Sequence, residues 1–479
     1  MNFRMIKYTV GWLLLFEAGF LCVPLLTAAV YGEKELTAFL LTIGICVALS
    51  LLFLLVGKTK SNVLYAREGF VIVSLCWIML SIFGALPFML SGVTDTYIDA
   101  LFETVSGFTT TGSTIFSQIE DLPKSINIWR CFTHWVGGMG VLVFIMAFLP
   151  LSGAQNMHIM KAESPGPTVS KLVPRVRHTA LILYLIYFVL TVVQFIFLIC
   201  GNMPVFDALC TAFGTAGTGG FGIKNDSFGS YSTYLQIVVT VFMLLFSLNF
   251  NAYYLVLRGK LKDAFSSEIK IFLCIVIVAI AVITFNINSL FDTVAEAVKH
   301  SAFTVASLIS TTGFATVDFD LWPMLSKLLL LAVMFIGACA GSTGGGLKVS
   351  RVQILVKGAI GEIGNLLHPR RVKKVHVEKR PVENEVVRTV NSYFAIYVLI
   401  FFASMLIISI DNHDFQTTFS SVAATLNNIG PGLGDVGPTQ NFAFFSVPSK
   451  IVLIFDMLAG RLELFPMLLL FNPATWRNK

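Results

Sequence analysis

Long apolar segments recur along the whole chain and limit the folds that are available to it. A helix needs roughly 20 residues to cross a bilayer whose hydrocarbon core is about 30 Å thick. Only 13% of the 479 residues are charged, against about 25% in ordinary soluble proteins. The sequence therefore predicts an all-α integral membrane protein with ten transmembrane helices. Their runs cover residues 8–31, 36–57, 69–91, 127–149, 179–201, 232–257, 270–291, 323–347, 390–410 and 447–471.

The first of these runs follows Arg4 and Lys7, a pattern that secretory signal peptides share. Its apolar stretch is too long for a signal peptide and is followed at once by a second span. We therefore interpret residues 1–68 as two transmembrane helices that remain in the protein.

The distribution of basic residues predicts the orientation, because Lys and Arg favour cytoplasmic loops. With the amino terminus inside, 25 of the 33 basic residues fall in inner segments, so both termini are expected to be cytoplasmic. The outer segments are acidic, with Asp95, Glu103, Asp207 and Asp414 among their carboxylates. Such a face could concentrate cations at a pore mouth, or it could simply remain after the basic residues are sorted inward.

Four polar, glycine-rich stretches interrupt the apolar pattern, at residues 103–116, 210–223, 306–319 and 422–436. Each contains a small-residue turn, and the glycines Gly112, Gly219, Gly313 and Gly430 are spaced by 107, 94 and 117 residues. This spacing predicts a fourfold internal repeat. The units are residues 69–178, 179–269, 270–388 and 389–479, and the third includes a long basic linker.

The short run before each turn has about 10–14 residues, which is too short to cross a bilayer. A re-entrant half-helix is the natural interpretation, because irregular backbone at membrane depth must face protein or a water-filled cavity. Each unit would then be a span, a re-entrant pore loop and a second span. Four such units in one chain predict a pseudo-fourfold arrangement around a central pore.

The turns have the chemistry that a dehydrated monovalent cation requires. Backbone carbonyls can replace the water around an ion in a selectivity filter, and glycine permits the backbone angles that point them at one axis. The alternative is that these small residues only allow helices to pack closely. Four copies at near-regular spacing favour the pore.

These features resemble the Trk/Ktr/HKT superfamily of potassium transporters, and most closely its Trk branch. The resemblance rests on SGFTTTG, GTGGF, STTGF and NNIGPG, and on the two extra amino-terminal spans. It implies potassium uptake through a filter that offers fewer sites than the TVGYG sequence of potassium channels. It implies potassium ligands at Thr110, Thr111, Gly112, Gly217, Thr218, Gly219, Thr311, Thr312, Gly313, Asn428, Ile429 and Gly430.

A second glycine-rich segment, GACAGSTGGGLK at residues 337–348, lies in an apolar run. It does not match a nucleotide-binding P-loop, because Leu347 follows Gly346 where that motif requires lysine. Its glycines are expected to interrupt the helix, although close helix packing is an alternative. The resemblance implies a gating intramembrane loop formed by Gly341, Ser342, Thr343, Gly344, Gly345 and Gly346.

Arg461 lies within the last span, where a charged side chain is costly and usually faces a cavity or a partner. Asp456 and Glu463 are near in sequence, so a structural salt bridge is one alternative. The resemblance implies that Arg461 faces the pore beside the gating loop. Glu17, Glu68 and His134 are weaker candidates that could cap helices or reach the interface.

No catalytic pattern was found, since the sequence lacks HExxH, GxSxG and CxxC motifs. The eight cysteines lie in or beside apolar runs and suggest packing residues or free thiols. We therefore predict that the chain is not an enzyme and needs no cofactor, with K⁺ as the transported ion. A polytopic membrane enzyme and a structural membrane subunit are the alternatives from other classes.

The resemblance also implies partners and a location. These are a homodimer, a cytosolic nucleotide- and NAD-binding regulatory subunit of the TrkA type, and the bacterial cytoplasmic (inner) membrane. The inner basic segments suggest contact with membrane lipids or a soluble acidic partner, and not with nucleic acid. Passive conduction and symport with sodium or protons both fit the residues.

Overall fold

The computed structural model describes residues 2–57, 66–140, 176–367, 375–377 and 380–476. The end of the predicted span 127–149, most of the linker after it and the most basic part of the linker 348–388 lie outside these residues. Within them the chain is predominantly helical. The described strands are two residues each, β1 (His376–Val377) and β2 (Arg380–Pro381), and they pair antiparallel.

The amino-terminal residues form a helical hairpin, as predicted. It consists of α1 (Phe3–Phe20), α2 (Cys22–Tyr31) and α3 (Leu36–Val56). The helices approach closely, because the Ser50 hydroxyl donates to the carbonyl of Gly11 at 2.7 Å. The Glu33 carboxylate accepts from the backbone N–H groups of Lys124 at 2.7 Å and Ser125 at 2.9 Å, at the start of the later helix Lys124–Gly138. The hairpin is thereby attached to the first repeat.

Four short helices occupy the positions of the predicted half-helices. Their lengths are 12, 12, 16 and 12 residues. Three of them begin at a side-chain cap, from Thr96, Thr293 and Asp414, which satisfies a free N–H of the first turn. In chain order these short helices are α6 (Tyr97–Phe108), α9 (Val205–Ala216), α14 (Val294–Ile309) and α18 (Phe415–Leu426).

Other helices lie before and after each short one. Before them lie α4 (Ala66–Gly84) with α5 (Leu86–Leu90), α8 (Val176–Cys200), α13 (Ser267–Ile287) and α17 (Asn384–Ile408). After them lie α7 (Lys124–Gly138), α10 (Thr233–Ser247), α15 (Met324–Ile336) and α19 (Val447–Leu462). The remaining helices are α11 (Phe250–Leu257), α12 (Leu261–Ala264), α16 (Val349–Leu367), α20 (Leu464–Phe471) and α21 (Pro473–Trp476), and short 3₁₀ turns are Asn288–Leu290, Phe319–Leu321, Ser409–Asp411 and Gly434–Val436.

Six of the described helical segments are long and apolar enough to cross a membrane, or seven if a bent pair counts as one. They make the chain a multi-pass membrane protein. The six segments are Phe3–Tyr31, Leu36–Val56, Arg67–Leu90, His178–Cys200, Ser267–Leu290 and Asn384–Asp411.

Three runs that were predicted as single spans are broken. The run 232–257 bends by 91° between α10 and α11. The run 323–347 is helical only to Ile336, where the glycine-rich segment begins, as its glycines predicted. The run 447–471 breaks at Glu463, which has a positive φ of 63°. The two unpredicted breaks lie within long runs that are apolar on average, so hydrophobicity over the run did not reveal them.

Candidate functional site

The chain adopts the same backbone conformation after each of the four short helices. A residue other than glycine has a left-handed φ, which is 56° at Thr110, 55° at Thr218, 60° at Thr311 and 54° at Asn428. Two residues later a glycine also has a positive φ, between 78° and 98°. These glycines are Gly112, Gly220, Gly313 and Gly430.

This conformation corrects the register of the second repeat by one residue. Gly220, and not Gly219, is equivalent to the other three glycines. Gly217 is the cap residue at the carboxyl end of its helix, as are Thr109, Ser310 and Asn427. The equivalent of the predicted Thr110-Thr111-Gly112 is therefore Thr218-Gly219-Gly220.

The hydrogen bonds of the four turns follow one pattern. The left-handed residue donates its N–H three residues back, and the next residue donates five residues back, which is a common way to end a helix. In the first turn these bonds join Thr110 to Gly107 at 3.1 Å and Thr111 to Ser106 at 2.9 Å. The equivalent second bonds are Gly219 to Gly214, Thr312 to Ser307 and Ile429 to Ala424, at 2.8–2.9 Å.

The turns close into a ring. A Cβ atom on Gly112 would overlap the carbonyl oxygen of Gly219, and one on Gly220 would overlap that of Thr312. In the same way Gly313 lies against the carbonyl of Ile429, and Gly430 lies against that of Thr111. Each turn therefore contacts the next in the order one, two, three, four, one. This arrangement is called the turn ring below.

Within the described ranges, several carbonyls of the turn ring receive no hydrogen bond from a protein donor. Among the described residues, no hydrogen bond reaches the carbonyl oxygens of Thr111, Gly219, Thr312 or Ile429. The same holds one residue earlier, at Thr110, Thr218, Thr311 and Asn428. These residues are all buried. Since nearly all buried carbonyls in proteins are paired with protein or water, this ring can accept a ligand that carries positive charge.

A cavity of about 110 Å³ opens on the glycine side of the turn ring. Its wall includes all four positive-φ glycines and the segments that follow them. Among the described lining residues, the charged side chains are Arg130 and Lys224, and none is a carboxylate. The predicted acidic residues therefore lie away from this wall.

A buried ion pair supports the first turn from behind. The Arg130 Nε lies 2.7 Å from the Glu103 carboxylate, and both side chains are 0% exposed. Glu103 also accepts from the Thr114 hydroxyl and from the N–H of Ile115, each at about 3.0 Å. Arg130 also reaches the second repeat, with its guanidinium 4.3 Å from the ring centre of Phe221.

His134 connects the first two turns. Its Nδ1 lies 2.7 Å from the carbonyl of Gly107, and its Nε2 accepts the backbone N–H of Phe221 at 3.1 Å. Because Nε2 accepts, the ring proton must be on Nδ1, so the imidazole is neutral. His134 is fully buried and is not a helix cap or an interfacial side chain, the two roles that its position suggested.

The predicted gating loop packs against the side of the turn ring on which the four short helices end. Gly345 donates its N–H to the Thr311 hydroxyl at 2.6 Å, and Gly346 donates to the carbonyl of Asn427 at 3.1 Å. The loop thus contacts the third and fourth turns on the face opposite the cavity. It is held at both ends by Glu268, which accepts from the N–H groups of Ala340 at 2.7 Å and Ser350 at 3.2 Å.

Arg461 joins this loop to the first repeat. It donates to the carbonyls of Thr343 at 2.7 Å, Gly137 at 2.5 Å and Gly138 at 2.6 Å. The nearby acids bond to other residues. The Ser404 hydroxyl donates to Asp456 at 2.7 Å, and Glu463 forms an ion pair with Arg351.

Two cations next to the loop were not singled out from the sequence. Lys348 is buried and donates to the carbonyl of Gly344, and Arg351 pairs with Glu463. Together with Arg461 they surround a cavity of about 10 Å³, which is the size of about one water molecule. The sequence contained a useful signal, because Lys348 and Arg351 are basic residues at the carboxyl end of an apolar, glycine-rich segment.

Other kinds of site find no support in the described ranges. All eight cysteines are free thiols. No group of three or more His, Cys, Asp or Glu side chains is placed to hold a metal ion there. The glutamates considered at the sequence level lie elsewhere: Glu17 is fully buried in α1, and Glu68 accepts from the N–H of Asn2 at 2.7 Å.

Comparison with known proteins identifies the family. The family model TrkH, described as a cation transport protein, matches residues 35–477. The Trk system potassium uptake protein TrkH of Salmonella typhimurium is 37% identical, and TrkG of Escherichia coli is 34% identical. These matches cover 100% and 99% of both chains, respectively. The crystal structure of the potassium transporter TrkH from Vibrio parahaemolyticus superposes with a TM-score of 0.90, at 32% identity over 100% of both chains.

These relatives are transport proteins and not enzymes. The family match and the full-length identities agree with the resemblance found in the sequence. The chain belongs to the TrkH family of cation transport proteins.

Proposed function

We propose that this protein takes up potassium ions through the turn ring, which acts as its selectivity filter. The observation that carries this proposal is the set of buried carbonyls at Thr111, Gly219, Thr312 and Ile429 and at the residues before them, which no donor in the described part of the chain reaches. Rings of carbonyl oxygens can replace the water around a potassium ion. The names of full-length relatives, which are potassium uptake proteins, support the choice of ion.

The proposed ligands are the sequence-predicted residues with one change. Gly220 joins the set, and Gly217 leaves it because it is a helix cap and belongs behind the ring. The fourth turn has Asn428 where the others have threonine, and its amide donates to the Thr111 hydroxyl at 2.9 Å. The backbone carbonyls, which all four turns share, are therefore the proposed source of selectivity.

The proposed architecture is the one that the repeat predicts. Two amino-terminal spans precede four units, each of a span, a re-entrant half-helix and a second span, and ten spans result. The four turns with one conformation and their cyclic contacts support this arrangement. The unit boundaries 69–178, 179–269, 270–388 and 389–479 are part of the proposal.

The intramembrane loop is the proposed gate. It lies directly against the helix side of the turn ring, and Arg461, Lys348 and Arg351 place positive charge beside it. Positive charge in a pore raises an electrostatic barrier to a cation. We propose that this conformation is closed, and that a cytosolic regulatory subunit of the Trk system moves the loop. A homodimer in the bacterial inner membrane completes the proposed assembly.

The filter is tested by Gly313→Ser, measured as rubidium and sodium flux in proteoliposomes. Gly313 has a φ of 85° and contacts the carbonyl of Ile429, so a side chain there must displace the ring. We expect the sodium-to-rubidium flux ratio to rise while the protein remains folded and inserted. Unchanged fluxes of both ions would refute the filter assignment.

The gate is tested by Arg461→Gln and by deletion of residues 341–346. Both changes remove contacts that hold the loop against the turn ring, so basal flux should rise. A variant that assembles normally but conducts no faster would count against the gate. Reversal potentials under separate potassium, sodium and proton gradients would then distinguish passive conduction from symport.

A further inference from the structure

The segment that connects α10 to α13 bends sharply where α10 ends. We call residues 249–266 the elbow segment; it contains α11 and α12, and α11 turns 91° away from α10. α10 has 15 residues, which is about 22 Å of helix and less than a bilayer core of about 30 Å. α10 alone is therefore too short to cross the core. The exposed basic side chains of Arg258, Lys260 and Lys262 place the end of α11 and the residues after it at the membrane surface, because charged side chains are costly in the hydrocarbon core.

One face of the elbow segment is buried and the other is amphipathic. On the buried face, Phe250 is 1% exposed and the Tyr253 hydroxyl donates to the carbonyl of Leu245 at 2.6 Å. The other face exposes apolar side chains beside exposed basic ones. The apolar residues are Val256 (44%), Leu257 (77%), Leu261 (57%) and Phe265 (54%), and the basic ones are Arg258, Lys260 and Lys262, with Asp263 as the one acid of the segment.

This composition fits the surface of a membrane that contains anionic lipids. A helix that lies in the interface buries apolar side chains at the acyl boundary and presents Lys and Arg to headgroups. The positive-inside distribution places this segment on the cytoplasmic side, where the membrane surface is negatively charged. A soluble partner would not account as well for exposed Leu257 and Phe265 beside a bend at the membrane boundary.

Hydrogen bonds join the intramembrane loop and its neighbouring residues to the chain on both sides of the bend between α10 and α11. Phe250, the first residue of α11, donates its N–H to the carbonyl of Gly341 at 3.0 Å. Before the bend, Cys339 donates its N–H to the carbonyl of Ser247 at 3.1 Å, and the Thr343 hydroxyl donates to the carbonyl of Phe246 at 3.1 Å. A displacement of α11 must therefore strain or break contacts of the loop.

We propose that the elbow segment binds anionic lipid headgroups and thereby controls the intramembrane loop. Headgroups that hold α11 in the boundary plane also hold Gly341 and its neighbours in the observed position against the turn ring. Anionic lipid thus stabilises the closed conformation and lowers basal flux. This inference rests on the proposed function, because its readout is ion flux through the gated ring.

The test uses the full-length protein in vesicles of phosphatidylcholine alone or with phosphatidylglycerol. The variant is the triple substitution Arg258→Gln, Lys260→Gln and Lys262→Gln. A matched control, Arg4→Gln with Lys7→Gln and Arg388→Gln, removes the same charge from other exposed residues assigned to the inner side. Each basic side chain lost should weaken attraction to the anionic surface about fivefold.

We expect phosphatidylglycerol to lower rubidium flux in the wild type and in the control variant, but not in the elbow triple variant. An equal response of the triple variant and the wild type would overturn the proposal. If the triple variant instead keeps its lipid response and loses binding of a cytosolic protein, the surface belongs to that protein and the proposal is wrong.

A second measurement separates this inference from the proposed function. If neither the wild type nor any variant conducts rubidium in any lipid, the transport proposal fails. Thermal stability in micelles then tests whether the elbow segment binds anionic lipid. Added phosphatidylglycerol should then raise the melting temperature of the wild type and the control but not of the triple variant. An equal rise in all three proteins would overturn the lipid site.

Discussion

The Glu103 carboxylate and the Arg130 guanidinium form an ion pair that is 0% exposed, with 2.7 Å between Oε1 and Nε. The pair lies behind the first turn and links α6, α7 and the segment after the turn. Its burial matters, because the loss of one partner leaves an uncompensated charge in a medium that solvates it poorly.

We expect Glu103→Gln to lower the free energy of unfolding by about 3–5 kcal/mol and to reduce flux strongly. The control is Asp99→Asn, which breaks the Lys450–Asp99 pair, whose side chains are 9% and 18% exposed. This pair keeps some contact with solvent, so its loss should cost less than the loss of the fully buried pair. Melting temperatures in detergent compare the two variants, and equal losses would contradict the role assigned to burial.

The register of the second turn is tested by Gly220→Ala. Gly220 has a φ of 78° and its Cβ would overlap the carbonyl of Thr312, and the left-handed conformation alone costs other residues about 1–2 kcal/mol. Flux should fall and sodium exclusion should weaken. Gly222→Ala is the control, because its Cβ would meet nothing closer than 3.7 Å. If Gly222→Ala were the more harmful change in flux assays, the assigned register would be wrong.

His134→Phe removes a donor to Gly107 and an acceptor from Phe221 while it keeps a ring of similar shape. Both lost bonds hold segments of the turn ring, so the sodium-to-potassium permeability ratio should rise. His134→Asn, which can donate and accept, should restore selectivity in part. His300→Phe is the control, since His300 bonds to the hydroxyl of Thr316, which follows the third turn and is not part of the turn itself. A purely structural role of His134 would lower stability in both variants and leave the permeability ratio unchanged.

Glu33→Gln tests the attachment of the amino-terminal hairpin. The Glu33 carboxylate accepts from two N–H groups at the start of α7, where Pro123 offers no side-chain cap. Loss of its charge should cost about 1 kcal/mol, the usual size of a capping effect. Glu35→Gln is the control, because Glu35 makes no capping hydrogen bond. Similar melting temperatures for the two variants would contradict this attachment.

The helical content, the four half-helices and their turns could be predicted from sequence because they depend on local patterns. The length of an apolar run distinguishes a full span from a half-helix. A glycine-rich turn that follows a short run can be read directly from the sequence. The bend after Ser247 and the break at Glu463 could not be predicted from hydrophobicity, since both lie within apolar runs. The contacts beside them, of Ser247 with Cys339 and of Glu463 with Arg351, join segments that are distant in sequence.

The functional site could likewise be predicted only in part. Glycine marked all four turns and threonine marked three of them, but GTGGF contains three glycines, and sequence alone did not show which one has the positive φ. Glu103 was assigned to the outer acidic surface and His134 to a helix end, because their partners Arg130 and Phe221 become neighbours only in the folded chain.

The last contact of the turn ring has a consequence for biosynthesis. Ser113 donates to the carbonyl of Gly430, and Asn428 donates to Thr111, across 317 residues of sequence. The first turn emerges from the ribosome long before the fourth. The side of the first turn that contacts the fourth therefore has no partner in the membrane until the fourth turn has been synthesised. Chains that stop before residue 430 should therefore remain open on that side and become substrates for membrane proteases or chaperones.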